Sequence, residues 1–333
     1  MLFIFLNSKH NFFISLLIFF LFFVISMNNI FIQWFVMEFS TIIGISLINI
    51  KSSNKIPSLI YYLVSVISSM FLFLVVIAYF IPVYYLSSPM FNFMIQMIMY
   101  MKIGIFPFHY WLIYSYDMMK WKQIYLMSTL IKFMPIYIFY ILTYMNLWTM
   151  IYLLISNLFI SLYTNKFYSL KKMLACSTIF NSFYFIVLLY LNKTLFVIFI
   201  IIYSINYLLM INYFNKFNIN NLNFKFLSNE QAYMFKILIF NYSMFPILLT
   251  FIIKWMLVYM MVSSKVYNWM LFIILISSMI MIWNYFILLK NAFLKNNFYK
   301  NDFMYSKSNL NFNLIIIIFL LLNLMFFLLI NFI

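Results

Sequence analysis

Long apolar runs separated by short polar breaks dominate this chain. No charged residue occurs in 56–101, 173–192, 194–215, 266–289 or 308–333. A membrane-crossing helix needs about 20 such residues, so the first run holds two, with a turn around Pro82 and Pro89. Taken between the polar breaks, the runs predict eleven spans near 9–26, 29–50, 57–81, 90–113, 124–145, 147–164, 172–191, 194–214, 234–262, 268–290 and 310–333. The fold class expected is all-α, a polytopic transmembrane helical bundle. A β-barrel would need short segments of alternating polarity, and the chain lacks them.

Lysine placement tests that count independently. With eleven spans, the N-terminus and the even-numbered loops share one side, and that side collects 15 lysines against two, Lys193 and Lys265, on the other. Positive charge accumulates on the inner side of membranes, which sets the N-terminus on the inner side and the C-terminus on the outer side of a single transmembrane domain, 1–333; in a mitochondrial inner membrane, the setting that codon usage suggests below, these are the matrix and intermembrane-space sides. The net charge of +16 is mostly this bias. It suits anionic lipid headgroups and gives no argument for nucleic acid. The Asn-rich stretch 215–229 and the segment 291–309, which contains Asp302, are polar loops too short for a separate domain.

Composition narrows the setting. Hydrophobic residues make up 68% of the chain and charged ones 7%, against about 45–50% and 25% in soluble domains. Gly, Ala, Arg and Pro together supply only 12 residues, while Phe supplies 45, Tyr 28 and Met 27. The scarce residues have GC-rich codons. So much methionine fits a code in which ATA is read as Met, as in animal mitochondria; an AT-rich endosymbiont is the alternative. The apolar N-terminus lacks a small-residue cleavage site and reads as the first span rather than a signal peptide. A chain made inside the organelle needs no import signal.

The chemistry available is limited. One cysteine, Cys176, two histidines and two glycines cannot build a disulfide frame, a Cys-ligated cluster or zinc site, multi-haem ligation or a phosphate-cradling loop. No metal, haem or nucleotide cofactor is expected in this chain.

Four ionisable residues lie inside predicted spans: Glu38, Lys102, Lys132 and Lys254. A charge at a helix centre costs roughly 2.5–3.5 kcal/mol on insertion scales. Each lysine stands within nine residues of a proline: Lys102 precedes Gly104 and Pro107, Lys132 precedes Pro135, and Lys254 follows Pro246. Proline removes a backbone donor and clashes with the preceding turn, so each helix is expected to break or kink beside its lysine and line a polar, hydratable pocket. A desolvated lysine exchanges its proton near neutral pH where an arginine does not, and a nearby carboxylate modulates that exchange. A proton relay is the functional reading. The structural reading is snorkelling of long side chains, to which Lys254, nearer its span end, is most open. His109, at a span end, reads as an interfacial residue, Asp117 and Glu230 as loop counter-charges, and Trp34, Trp111 and Trp121 as headgroup anchors.

The segments "WFVMEFS" (34–40), "MKIGIFPFHYW" (101–111), "STLIKFMP" (128–135), "SLKKMLACSTI" (169–179) and "FPILLTFIIKW" (245–255) resemble, in order, those of the mitochondrial NADH–ubiquinone oxidoreductase chain 2 family. The likeness runs from about residue 30 to 260. It implies an antiporter-like membrane-arm subunit of respiratory complex I with broken helices. NADH, FMN, iron–sulfur clusters and ubiquinone would be handled by other subunits, and the neighbouring antiporter-like subunits and anionic lipids would be its partners. It further implies Glu38 and Lys102 as a pair, Lys132 as central relay and Lys254 as exit-side group, with Gly104, Pro107, Pro135 and Pro246 at the helix breaks. The sequence departs from the family pattern at Lys171, at Asn181 (commonly histidine), at Phe183-Tyr184, at Ser243-Met244 and at Ile253. A stand-alone cation/proton antiporter and a passive scaffold are the competing expectations.

Overall fold

Inside a bilayer no water satisfies backbone N–H and C=O groups, so apolar segments close their hydrogen bonds internally as helices. The computed structural model describes residues 8–50, 52, 54–80, 87–167, 169–217, 229–243, 249–263 and 268–298. Thirteen α-helices form among these residues: α1 (Ser8–Ser26), α2 (Ile30–Asn49), α3 (Ile56–Phe80), α4 (Ser88–Ile103), α5 (Tyr110–Met118), α6 (Trp121–Ser128), α7 (Leu130–Leu142), α8 (Leu147–Tyr163), α9 (Leu170–Leu191), α10 (Lys193–Lys216), α11 (Asn229–Tyr242), α12 (Leu249–Ser263) and α13 (Asn268–Phe298). There is no β-strand among the described residues. Among the described residues seven segments are long and apolar enough to cross a membrane, and Asn11–Ser26 and Thr250–Ser263 are shorter apolar helices. The protein is a multi-pass membrane protein.

The thirteen helices fall on ten of the eleven predicted spans. Three predicted spans divide into two helices each: 90–113 into α4 and α5, 124–145 into α6 and α7, and 234–262 into α11 and α12. These are the three spans that carry the buried lysines. The eleventh predicted span, 310–333, together with Lys225, Asp302 and Pro246, lies outside the described residues.

Two compact units make up the chain, the first comprising 1–156 and 178–190, the second 157–177 and 191–333. The division falls within α8 and within α9. In the first unit α3 shows how polarity is turned inside out: it buries Ser58, Ser65, Ser68 and Ser69 and exposes Leu59, Leu63, Met70 and Leu74. Lipid tails are as apolar as leucine, so small and polar side chains gain more by facing other helices. Every residue of α9 from Met173 to Leu189 is buried. In the second unit α8 and α13 are joined by a polar seam. Asn157 donates from Nδ2 to Ser277 Oγ (3.5 Å), and Asn284 donates to the Ser161 carbonyl (3.0 Å) and to Thr164 Oγ1.

Candidate functional site: lysines beside broken helices

Helix α4 stops at Gly104, whose backbone is left-handed (φ 81, ψ 36) and whose N–H bonds the Tyr100 carbonyl at 2.9 Å. Ile105 N–H bonds the same carbonyl, also at 2.9 Å. Only glycine enters this conformation without a Cβ penalty, and a Cβ on Gly104 would stand 2.9 Å from Leu112 Cδ1. The chain then runs unwound through a cis Phe106–Pro107 bond to α5. Protein side chains satisfy the carbonyls this frees. Trp111 Nε1 donates to the Met101 carbonyl (3.1 Å), and Tyr152 Oη donates to the Phe106 carbonyl (2.6 Å). The break predicted beside Lys102 is present, and an indole and a phenol bond two of the carbonyls around it.

Lys102 occupies the last turn of α4, where the helix end presents carbonyl partial negative charge. It is 4% exposed, and its Nζ donates to Glu38 Oε1 on α2 at 2.7 Å. Glu38 keeps 21% of its side chain exposed. A cation this deep is sustained by a paired carboxylate and a helix terminus together, and both are present.

Lys132 is set differently. The break before it falls at Thr129 (φ −114, ψ −90), between α6 and α7, and not at Pro135, which continues inside α7. Thr129 Oγ1 donates to the Tyr125 carbonyl at 2.7 Å, taking up one of the carbonyls at the end of α6. Lys132 lies in the first turn of α7, the opposite helix end from the one Lys102 meets. It is 5% exposed and donates to the Thr178 carbonyl on α9 at 2.8 Å.

Lys254, in the second unit, is 6% exposed on α12, with its Nζ 5.9 Å from the centroid of the Phe199 ring on α10. Packing against an aromatic face is favourable for a cation, and burial at this depth replaces the snorkelling expectation. Helix α11 ends at Tyr242 and α12 begins at Leu249. The Thr250 hydroxyl reaches back across this gap to the Asn241 carbonyl (3.0 Å).

His109, expected at an interface, is 2% exposed, with its ring between Phe106 (centroids 5.5 Å) and Tyr110 (4.1 Å). Of the three tryptophans expected as headgroup anchors, Trp111 donates at the α4 break and Trp34 stacks on Phe73 at 5.0 Å. Trp121 is buried. Sequence reading missed Tyr152 and the Thr178 carbonyl. Backbone acceptors leave no residue signature, and 28 tyrosines hide the ones that matter. Among the described residues no group of three or more His, Cys, Asp or Glu side chains could hold a metal ion.

No protein-family model matches the chain. It is 57% identical over 305 residues to the NADH-ubiquinone oxidoreductase chain 2 of Apis mellifera ligustica, covering 92% of each chain. The chain belongs to the NADH–ubiquinone oxidoreductase chain 2 family. Its fold is shared more widely. A chain of the respiratory complex I from Thermus thermophilus superposes with a TM-score of 0.69 at 14% identity, over 90% of this chain and 73% of that one. A chain of an archaeal membrane-bound sulfane sulfur reductase gives 0.68 at 15% identity, over 90% and 69%. A chain of the Mrp complex of Dietzia sp. gives 0.59 at 13% identity, over 84% and 58%. At such low identity the last three speak for the fold alone.

Proposed function

We propose that this chain is a membrane-arm subunit of the mitochondrial NADH–ubiquinone oxidoreductase, with its N-terminus on the matrix side of the inner membrane. In this reading it moves protons through Glu38, Lys102, Lys132 and Lys254 and holds no redox centre. NADH oxidation and quinone reduction belong to other subunits. The observation that carries the reading is the buried Lys102–Glu38 pair at the left-handed end of α4 (2.7 Å).

A purely structural ion pair would have no need of a broken helix or of two further buried lysines. The lysines also differ in surroundings: Lys102 has a carboxylate and a helix C-terminus, Lys132 a backbone carbonyl and a helix N-terminus, and Lys254 an aromatic face. Groups of one chemical type in unlike fields hand a proton on when those fields change. Carrying one charge across 100 mV takes about 2.3 kcal/mol, equivalent to fewer than two units of proton affinity at about 1.4 kcal/mol each. Rearranging one ion pair is large enough to supply that.

The test has two stages. Gently solubilised membranes run on a native gel should carry this chain's peptides wholly in the high-mass band that stains for NADH dehydrogenase activity. A chain running alone would favour the stand-alone cation/proton antiporter. In the assembled complex, Lys132→Met should lower the protons moved per NADH oxidised, and an unaltered ratio removes Lys132 from the relay.

A further inference from the structure

In the first unit one face of α4 is joined to the start of α8 by side chains spaced a helical turn apart. Asn92, Gln96 and Tyr100 lie four residues apart, on one stripe of α4. All three are buried. Asn92 Oδ1 accepts the Tyr144 N–H (3.1 Å), and its Nδ2 donates to the Tyr144 carbonyl (3.3 Å). Gln96 Nε2 donates to that same carbonyl at 3.4 Å. Tyr144 stands in the turn just before α8, so these bonds fix where α8 starts relative to α4. Eight residues on from Tyr144, and eight on from Asn92, the two helices meet again: the Tyr152 ring stacks on the Tyr100 ring (centroids 4.9 Å, 11° between planes).

That second meeting point is the break beside Lys102. Tyr100 carries the carbonyl that ends α4, the one bonded by both Gly104 N–H and Ile105 N–H. Tyr152 thus holds the break on both sides at once. Its ring lies against the last turn of α4, and its hydroxyl donates to the Phe106 carbonyl in the unwound segment (2.6 Å). The other bonds there, from Trp111 to the Met101 carbonyl (3.1 Å) and from Phe108 N–H to the Ile105 carbonyl (2.8 Å), are local to the span itself. Tyr152 brings a hold from a different helix. Lys102 follows Tyr100 by two residues, and its partner Glu38 lies on α2, so a shift of the end of α4 changes the separation of the ion pair directly.

We infer that Tyr152 is a positioning residue for the Lys102–Glu38 pair, fixing the end of α4 to α8 through its ring on Tyr100 and its hydroxyl on the Phe106 carbonyl. This rests on the reading of Lys102 as a proton carrier. Tyr152 exchanges no proton in this role. It sets how far the amine stands from the carboxylate, and that distance governs how readily the amine gives its proton up.

The experiment uses the assembled complex carrying Tyr152→Phe, which keeps the stacked ring and deletes the hydroxyl, beside Lys102→Met. Protons moved per NADH oxidised should fall in both, less in Tyr152→Phe. The pH profile of that ratio should also shift in Tyr152→Phe, which a loss of stability alone would not cause. A map of this variant should show Lys102 Nζ further than 2.7 Å from Glu38 Oε1, with the Lys132 contact to the Thr178 carbonyl kept at 2.8 Å. A parent ratio, an unshifted profile or an unmoved pair in Tyr152→Phe, with a fall in Lys102→Met, overturns the positioning role and leaves the lysine reading standing. A parent ratio in Lys102→Met overturns both. If Tyr152→Phe does not assemble, maps of the parent complex at rest and in turnover decide. A Tyr152–Phe106 bond and a Lys102–Glu38 pair that open and close together support the role. A pair that parts while the bond holds, or that never parts, overturns it.

Discussion

Gly104 is a single atom short of alanine, and that atom decides how α4 ends. At φ 81 a Cβ is strained by about 1–2 kcal/mol, and it would also press on Leu112 Cδ1 at 2.9 Å. Gly104→Ala should therefore lower the thermal midpoint of the solubilised complex and reduce the amount assembled; an unchanged midpoint would mean that α4 simply runs on. Glu38 tests charge in place of shape. Breaking a buried ion pair costs about 3–5 kcal/mol, and the 21% exposure of the Glu38 side chain sets the expectation for Glu38→Gln at the low end, about 3 kcal/mol. The double variant Glu38→Gln/Lys102→Met leaves no orphaned charge, so it should recover most of that stability. If the pair is a proton relay, the double variant will still pump fewer protons per NADH oxidised. Recovery of both stability and pumping would assign the pair to structure alone.

At the scale of helices, the apolar pattern made the elements legible because in lipid a long apolar run has one hydrogen-bonded solution. The breaks were legible only where a residue type announces them. Gly104 followed by Pro107 marked the end of α4. The break before Lys132 is at Thr129, which nothing local distinguishes from the serines and threonines that lie within helices, and Pro135 pointed to the wrong turn. Pro246 falls between α11 and α12 in residues outside those described, while the helices on either side end at Tyr242 and begin at Leu249. The seam between α8 and α13 was written in the sequence as Asn157, Ser161 and Thr164 opposite Ser277, Met281 and Asn284. Both sets have the i, i+4, i+7 spacing of one helix face, but polar side chains on one span do not say which span they meet. Interhelical hydrogen bonds in membranes average about 0.6 kcal/mol. Asn284→Leu removes two and should destabilise the assembled protein by about 1 kcal/mol, seen as a lower midpoint in thermal unfolding. A raised midpoint would show that the seam opposes packing.

At the scale of the whole chain, orientation is a matter of charge. The lysines divide 15 to two across the predicted loops, and adding or losing a single span would exchange the sides of every loop after it. Thirteen described helices fall on ten of the predicted spans, and counting each pair parted by an internal break, such as α4 and α5, as one crossing leaves the predicted loops in their order. That register predicts labelling from opposite faces. Asn146, exposed between α7 and α8, should face the intermembrane space, and Lys166, exposed between α8 and α9, the matrix. The single cysteine, Cys176, is fully buried, so it gives little background to a thiol reagent. Asn146→Cys should react with a membrane-impermeant maleimide in mitochondria whose outer membrane has been opened, and Lys166→Cys only after the inner membrane is breached. Reaction of both from one side would mean that an odd number of crossings separates the true topology from this one between residues 146 and 166. The lysine bias would then have to be read as headgroup binding, with no bearing on which way the chain faces.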